Sequence, residues 1–135
     1  MASIRSSGFR RTGAARSRAR ASSASGESSP SCRANAKLHV GLFEDTLPKF
    51  VADVPGQAAF VHIDCDIYSS TKTVFDHLAD RISSGCVIVF DEYFNYPNWQ
   101  QHEYKAFQEF VARRGIQYEY IGFAAKNGHV AVRIK

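Results

Sequence analysis

An α/β fold is what this 135-residue sequence predicts: a mostly parallel, doubly wound sheet that finishes in an antiparallel hairpin at its carboxyl end. Three observations lead there. Strand-like and helix-like stretches alternate from residue 37 onward. Two strand-like runs, 58–63 and 86–90, are almost wholly apolar, the pattern of strands covered on both faces. The last two runs, 116–123 and 129–134, are joined through Asn127 and Gly128, a pairing that favours a hairpin turn.

Taken in order, residues 37–40 form a short strand ending at Gly41. Thr46 is an N-cap for a first helix whose apolar residues Leu47, Phe50, Val51 and Val54 recur at helical spacing. Pro48 falls in its first turn, where a missing N–H does no harm, and Pro55 with Gly56 stops it. The run 58–63 ends abruptly in Asp64, Cys65 and Asp66. Ser69, Ser70 and Thr71 then cap a second helix with Val74, Phe75, Leu78 and Ile82 on one side, terminated by Ser83, Ser84 and Gly85. The strand 86–90 again stops at acids, Asp91 and Glu92. An aromatic loop, 93–101, leads to a third helix over 102–114 with Tyr104, Phe107, Phe110 and Val111 on one face and Gly115 at its end.

The net charge of +4 is unevenly placed. Residues 1–36 hold seven arginines and one acid, Glu27, whereas residues 37–135 hold ten basic and twelve acidic residues. Basicity therefore belongs to the amino-terminal stretch, and the remainder has no composition for specific nucleic-acid binding. With Ile4 and Phe9 as its only large hydrophobes, 1–36 is expected to be a disordered Arg/Ser/Ala-rich tail. A solvated extension or reading-frame artefact, an organelle leader, and a phosphate-binding arm all match that composition. Three scattered cysteines, Cys32, Cys65 and Cys86, argue against a disulfide scaffold and for a reducing, cytoplasmic setting. No apolar run is long enough to span a membrane.

The acids carry the chemistry. In open α/β sheets the ligand site lies beyond the carboxyl ends of the strands, and both acidic groups stand there. If the two strands are neighbours, Asp64, Asp91 and Glu92 converge, and gathered carboxylates repel unless a cation neutralises them. Oxygen ligands alone suit a hard divalent ion such as Mg2+. His62 reads as a sheet histidine rather than a ligand, and His39, His77 and His129 as incidental. Phosphate-loop, serine-elbow and H-E-x-x-H signatures are absent from the sequence.

Three segments, Val40-Gly-Leu-Phe-Glu-Asp-Thr-Leu-Pro48, His62-Ile-Asp-Cys-Asp-Ile-Tyr-Ser-Ser-Thr71 and Val87-Ile-Val-Phe-Asp-Glu-Tyr93, resemble the macrocin O-methyltransferase (TylF/MycF-like) family. The resemblance runs over nearly all of 37–135, which it identifies as the carboxy-terminal part of a class I, Rossmann-like methyltransferase domain. It implies S-adenosylmethionine as methyl donor, a divalent metal, and a small-molecule hydroxyl as acceptor. It implies metal ligands at Asp64, Asp91 and Glu92, although the family has Asp where Glu92 stands. It also implies catalytic roles beside the metal for Asp64 and Asp66, and cofactor contacts near the adenine for Phe43 and Glu44. Catechol methyltransferases, more distant relatives, carry a lysine where this chain has Ile67, so no lysine base is assigned.

The family's fold begins with two further strands, one bearing a glycine-rich turn under the cofactor and one ending in a ribose-binding acid. Neither is visible here. A truncated or frame-shifted gene product is the expectation, binding S-adenosylmethionine weakly or not at all. Two other readings compete: a metal-dependent glycosyltransferase using Asp64 and Asp66 as a D-x-D site, and a non-enzymatic remnant of the fold.

Overall fold

The computed structural model describes the backbone of residues 2–5 and residues 33–135 in full. The chain divides into two units, Met1–Gly8 with Gly41–Lys135, and Phe9–Val40. The first holds strand β1 (Ala2–Arg5), helix α1 (Phe43–Asp53), strand β2 (Ala58–Asp64), helix α2 (Tyr68–Leu78), strand β3 (Ile82–Phe90), helix α3 (Glu103–Arg114), and strands β4 (Tyr118–Ala124) and β5 (His129–Ile134). Sheet order is β1-β2-β3-β5-β4. β1, β2 and β3 run parallel, and β5 is antiparallel to both β3 and β4. This is the α/β class read from the sequence, with its antiparallel hairpin at the carboxyl end.

The core explains the order. Val61 and Ile63 of β2 pair with Ile88 and Phe90 of β3, which pair in turn with Val132 and Val130 of β5. All six are buried and share one face of the sheet. Against that face lie Leu47 of α1, Val74, Phe75 and Leu78 of α2, and Ala106, Phe107, Phe110 and Val111 of α3. Phe75 stacks on Phe110 at 4.6 Å and meets Phe107 and Phe90 at 5.9 and 6.3 Å. The opposite face, carrying Phe60, His62, Val87 and Val89, is only half-buried among the described residues. Among the described residues, the three helices all lie against the first face. Val87 and Val89 are β-branched residues suited to a pleated, half-exposed surface.

Element boundaries depart from the sequence pattern in four places. Residues 37–40 form no strand, and Val40 is 80% exposed. The edge of β2 pairs instead with Ala2–Arg5, a stretch read as unstructured. An open strand edge is a row of free N–H and C=O groups that any short extended segment can complete. Of the rest of the expected 1–36 tail, residues 1 and 6–32 lie outside the described residues, and 33–36 are exposed. Helix α1 begins at Phe43, not after Thr46, whose hydroxyl donates within the helix to the Leu42 carbonyl (2.9 Å). Glu44 and Asp45 thus occupy the first turn, where the helix dipole favours acids, and Pro48 sits inside the helix. Helix α2 ends at Leu78, and Ile82 opens β3 by pairing with Ala58. Phe60 pairs with Val87, so Ser83, Ser84 and Gly85 bulge out of β3 instead of capping the helix.

The hairpin turn is tight. Gly128 has φ +75°, its carbonyl accepts the N–H groups of Tyr93 and Phe94, and a Cβ there would lie 2.3 Å from the Phe94 carbonyl oxygen. Gly128→Ala is expected to cost about 1–3 kcal/mol from backbone strain alone, with the clash added. A fall in the urea midpoint at unchanged m-value is the readout.

Candidate active site

The parallel register of β2 and β3 builds the site. Ile63 is matched to Phe90, and the Asp91 N–H continues the ladder to the Ile63 carbonyl (3.0 Å). Alternation then puts His62 and Asp64 with Val89 and Asp91 on the face turned away from the helices. Asp64, Asp91 and Glu92 each bring a carboxylate oxygen to within 4.8 Å of the others, all three half-buried. Asp66 follows directly in a three-residue turn. Its φ is +61°, in the left-handed region that Asp tolerates, and the Ile67 N–H donates to the Cys65 carbonyl across it (2.6 Å). Asp66 is exposed at the rim.

Electrostatics follow from that crowding. Burial, then the charges of Asp66, Asp91 and Asp64, push the Glu92 carboxyl up to about 7. Its Oε2 is buried without a hydrogen-bond partner. A buried acceptor facing other acids is unfavourable until a cation or a proton meets it. The donor set is all oxygen, as a hard divalent ion requires, and the orphaned Glu92 atom fits such an ion. Cys65, buried beside the acids, has its thiol pushed up to about 12 by desolvation and is inert as a nucleophile.

Two neighbours of the acids escaped the sequence reading. His129, incidental by sequence, places Nδ1 2.7 Å from the Asp91 carbonyl oxygen and 3.2 Å from the Asp91 Oδ1. The Asp91 Oδ1 also lies 3.8 Å from Nε2 of His62. The signal for His129 was its place at the start of the strand pairing antiparallel with β3, opposite the residue after Phe90. Glu103, the first residue of α3, is fully buried and accepts the N–H of Cys65 on Oε1 (3.1 Å) and that of Glu92 on Oε2 (3.2 Å). Desolvation raises its carboxyl to about 8 although these donors pull it down. No periodicity could have found it, because a Glu in a first helical turn reads as an exposed dipole partner.

Phe43 and Glu44 are not part of this cluster. They open α1, Phe43 packing at the edge of the core and Glu44 exposed. The loop 93–101 lies over the rim. Tyr96 donates its hydroxyl to the Glu92 carbonyl (3.2 Å), and Trp99 meets Tyr104 edge-on at 4.9 Å. Beneath it, Gln108 donates to the hydroxyls of Tyr93 and Tyr118 (3.2 and 3.0 Å), and Tyr93 and Tyr120 share a hydrogen bond of 2.9 Å, tying α3 to β4.

Sheet and site together define an α/β protein with an acidic centre at the carboxyl ends of adjacent parallel strands, the ligand-binding end of such sheets. The sequence matches the family described as Macrocin-O-methyltransferase (TylF) over residues 32–123, most of the chain, and the chain belongs to that family. Among solved structures it is similar to apo CalS11, described as a TDP-rhamnose 3'-O-methyltransferase of calicheamicin biosynthesis (TM-score 0.54, 23% identity, 69% of this chain and 38% of that one). It is also similar to the O-methyltransferase NovP (TM-score 0.55, 28% identity, 69% of this chain and 35% of that one). The CalS11 likeness is one of fold. The chain spans well under half the length of either structure. Comparison with curated proteins gives no match. No helix among the described residues is long and apolar enough to cross a membrane.

Proposed function

We propose that this chain carries the acceptor-activating portion of an O-methyltransferase that uses S-adenosylmethionine and a divalent cation to methylate a hydroxyl of a sugar or sugar-bearing natural product. The convergence of Asp64, Asp91 and Glu92 at the rim, with Glu92 Oε2 unpartnered, carries the reading. These three would hold Mg2+ or a similar ion, which when bound lowers the pKa of a substrate hydroxyl. Asp66, exposed one turn from the cluster, stands where it can accept the proton that the hydroxyl gives up. Asp64, a metal ligand next to Asp66 in the turn, would share in relaying that proton. Phe43 and Glu44 border the donor's adenine, and the aromatic loop 93–101 shapes the acceptor side.

Family membership favours methyl transfer over the glycosyl-transfer alternative, which would use Asp64 and Asp66 and leave Asp91 and Glu92 without a role. The acceptor is a free small molecule, and the reaction is suited to a cytoplasmic setting.

Two measurements on the full chain test the proposal. Calorimetric titration with S-adenosylmethionine reads donor binding. Transfer of a labelled methyl group to hydroxyl acceptors, with and without Mg2+, reads the chemistry. Mg2+-dependent transfer supports the proposal. A folded chain that binds nucleotide sugars in preference to S-adenosylmethionine, or whose methyl transfer is the same with and without Mg2+, overturns it.

A further inference from the structure

Among the described residues Glu103 is the only acidic or basic side chain that is fully buried. Burying a carboxyl costs several kcal/mol unless each oxygen is met, so its backbone partners are informative. The sheet ladder between β2 and β3 has its last rung at the Asp91 N–H and the Ile63 carbonyl. Beyond it both chains turn away, β2 into the left-handed turn at Asp66 and β3 into the loop 93–101. The next two N–H groups, those of Cys65 and Glu92, would be orphaned inside the protein. Glu103 takes both, one on each carboxyl oxygen, at 3.1 and 3.2 Å. It thereby replaces a missing rung with a side chain from α3.

From this we infer that Glu103 is a positioning residue whose bidentate clamp on the Cys65 and Glu92 amides fixes the spacing between Asp64 and the Asp91–Glu92 pair. Each clamped amide is adjacent in the chain to an acid of the cluster or belongs to one. The loss of either bond frees a strand end to swing. The role in cation binding rests on the metal reading above; the clamp itself does not. Groups of this kind, which hold ligands without touching the ion, are commonly worth 10–100-fold in metal affinity.

The test uses the full chain, Mn2+ as the probe, and the variants Glu103→Gln and Asp64→Asn. Glutamine keeps the shape but offers one acceptor and one donor, so it satisfies one amide and opposes the other. Three results are expected for Glu103→Gln: an unchanged far-ultraviolet circular dichroism spectrum, displaced amide resonances of Cys65 and Glu92 in an assigned 1H–15N spectrum, and Mn2+ binding weakened roughly tenfold or more by electron paramagnetic resonance. Asp64→Asn should weaken Mn2+ while leaving the two amides in place. If Mn2+ binding depends on Asp64 and is unchanged in Glu103→Gln, the proposal fails and the metal reading stands. If wild type binds no Mn2+, the metal reading fails, and the amides alone decide the clamp: displacement supports it, immobility overturns it. Should Glu103→Gln not fold, hydrogen exchange in the wild type decides, since unprotected amides at Cys65 and Glu92 exclude the clamp.

Discussion

Asp91→Asn is expected to weaken divalent-cation binding by roughly 100-fold while leaving the fold intact. Asp91 is half-buried and lies outside the apolar core, so an isosteric neutral replacement removes charge without opening a cavity. A carboxylate charge beside a divalent cation is worth several kcal/mol even at an effective dielectric near 20. Solvent at a half-exposed rim screens part of this, leaving about 3 kcal/mol, or roughly 100-fold in affinity. The wild type carries a second signature. Because burial and the neighbouring acids hold Glu92 at about 7, cation and proton compete for it, and binding near pH 6 should release protons into the buffer. Affinity therefore rises with pH through 7 and levels off above it. In Asp91→Asn one repelling charge is gone, the Glu92 carboxyl falls toward its ordinary value, and the proton release near pH 6 shrinks. Titration calorimetry in buffers of different ionisation enthalpy reads both quantities. An Asp91→Asn protein with wild-type affinity and wild-type proton release would remove the acid cluster as a cation site.

Much of this site was legible in the sequence because it depends on few variables. Two apolar runs of strand length, each ending in acids, need only be adjacent and parallel for Asp64 to face Asp91, and β2 and β3 are both. What supports the acids was not legible. Glu103 acts through a carboxyl buried against backbone from two other elements, and His129 acts through an antiparallel pairing whose register no local pattern specifies. The boundaries misread from the sequence share another cause. Thr46 and the Ser83–Ser84–Gly85 triplet are strong local signals, yet Thr46 spends its hydroxyl on Leu42 inside a helix. The triplet bulges from a strand that Ile82 had already begun. For the triplet, strand pairing outweighed a local propensity worth a few tenths of a kcal/mol; for Thr46, the helix begins a turn earlier and the hydroxyl bonds inside it.

Phe75→Ala is expected to be the most damaging single change to stability, about 3–5 kcal/mol, the range for emptying a fully buried aromatic site. Phe75 is 1% exposed and touches rings from two other elements: Phe107 and Phe110 on α3, and Phe90 on β3. Small domains are stable by about 5–15 kcal/mol in total, so the variant should melt far below the wild type or fail to accumulate. The consequence reaches the site through the chain itself. Phe90 is the residue before Asp91, and Phe107 and Phe110 hold α3, whose first residue is Glu103. A vacancy at Phe75 lets α2, α3 and the end of β3 close inward by different amounts, and the Glu103 oxygens lose their register with the Cys65 and Glu92 amides. Phe75→Leu, which retains most of the volume, should cost far less and keep those two amides protected. The comparison is made by denaturant unfolding with hydrogen exchange on the same samples. Equal destabilisation by Ala and Leu, or an alanine variant with both amides still protected, would separate core packing from the geometry of the acids.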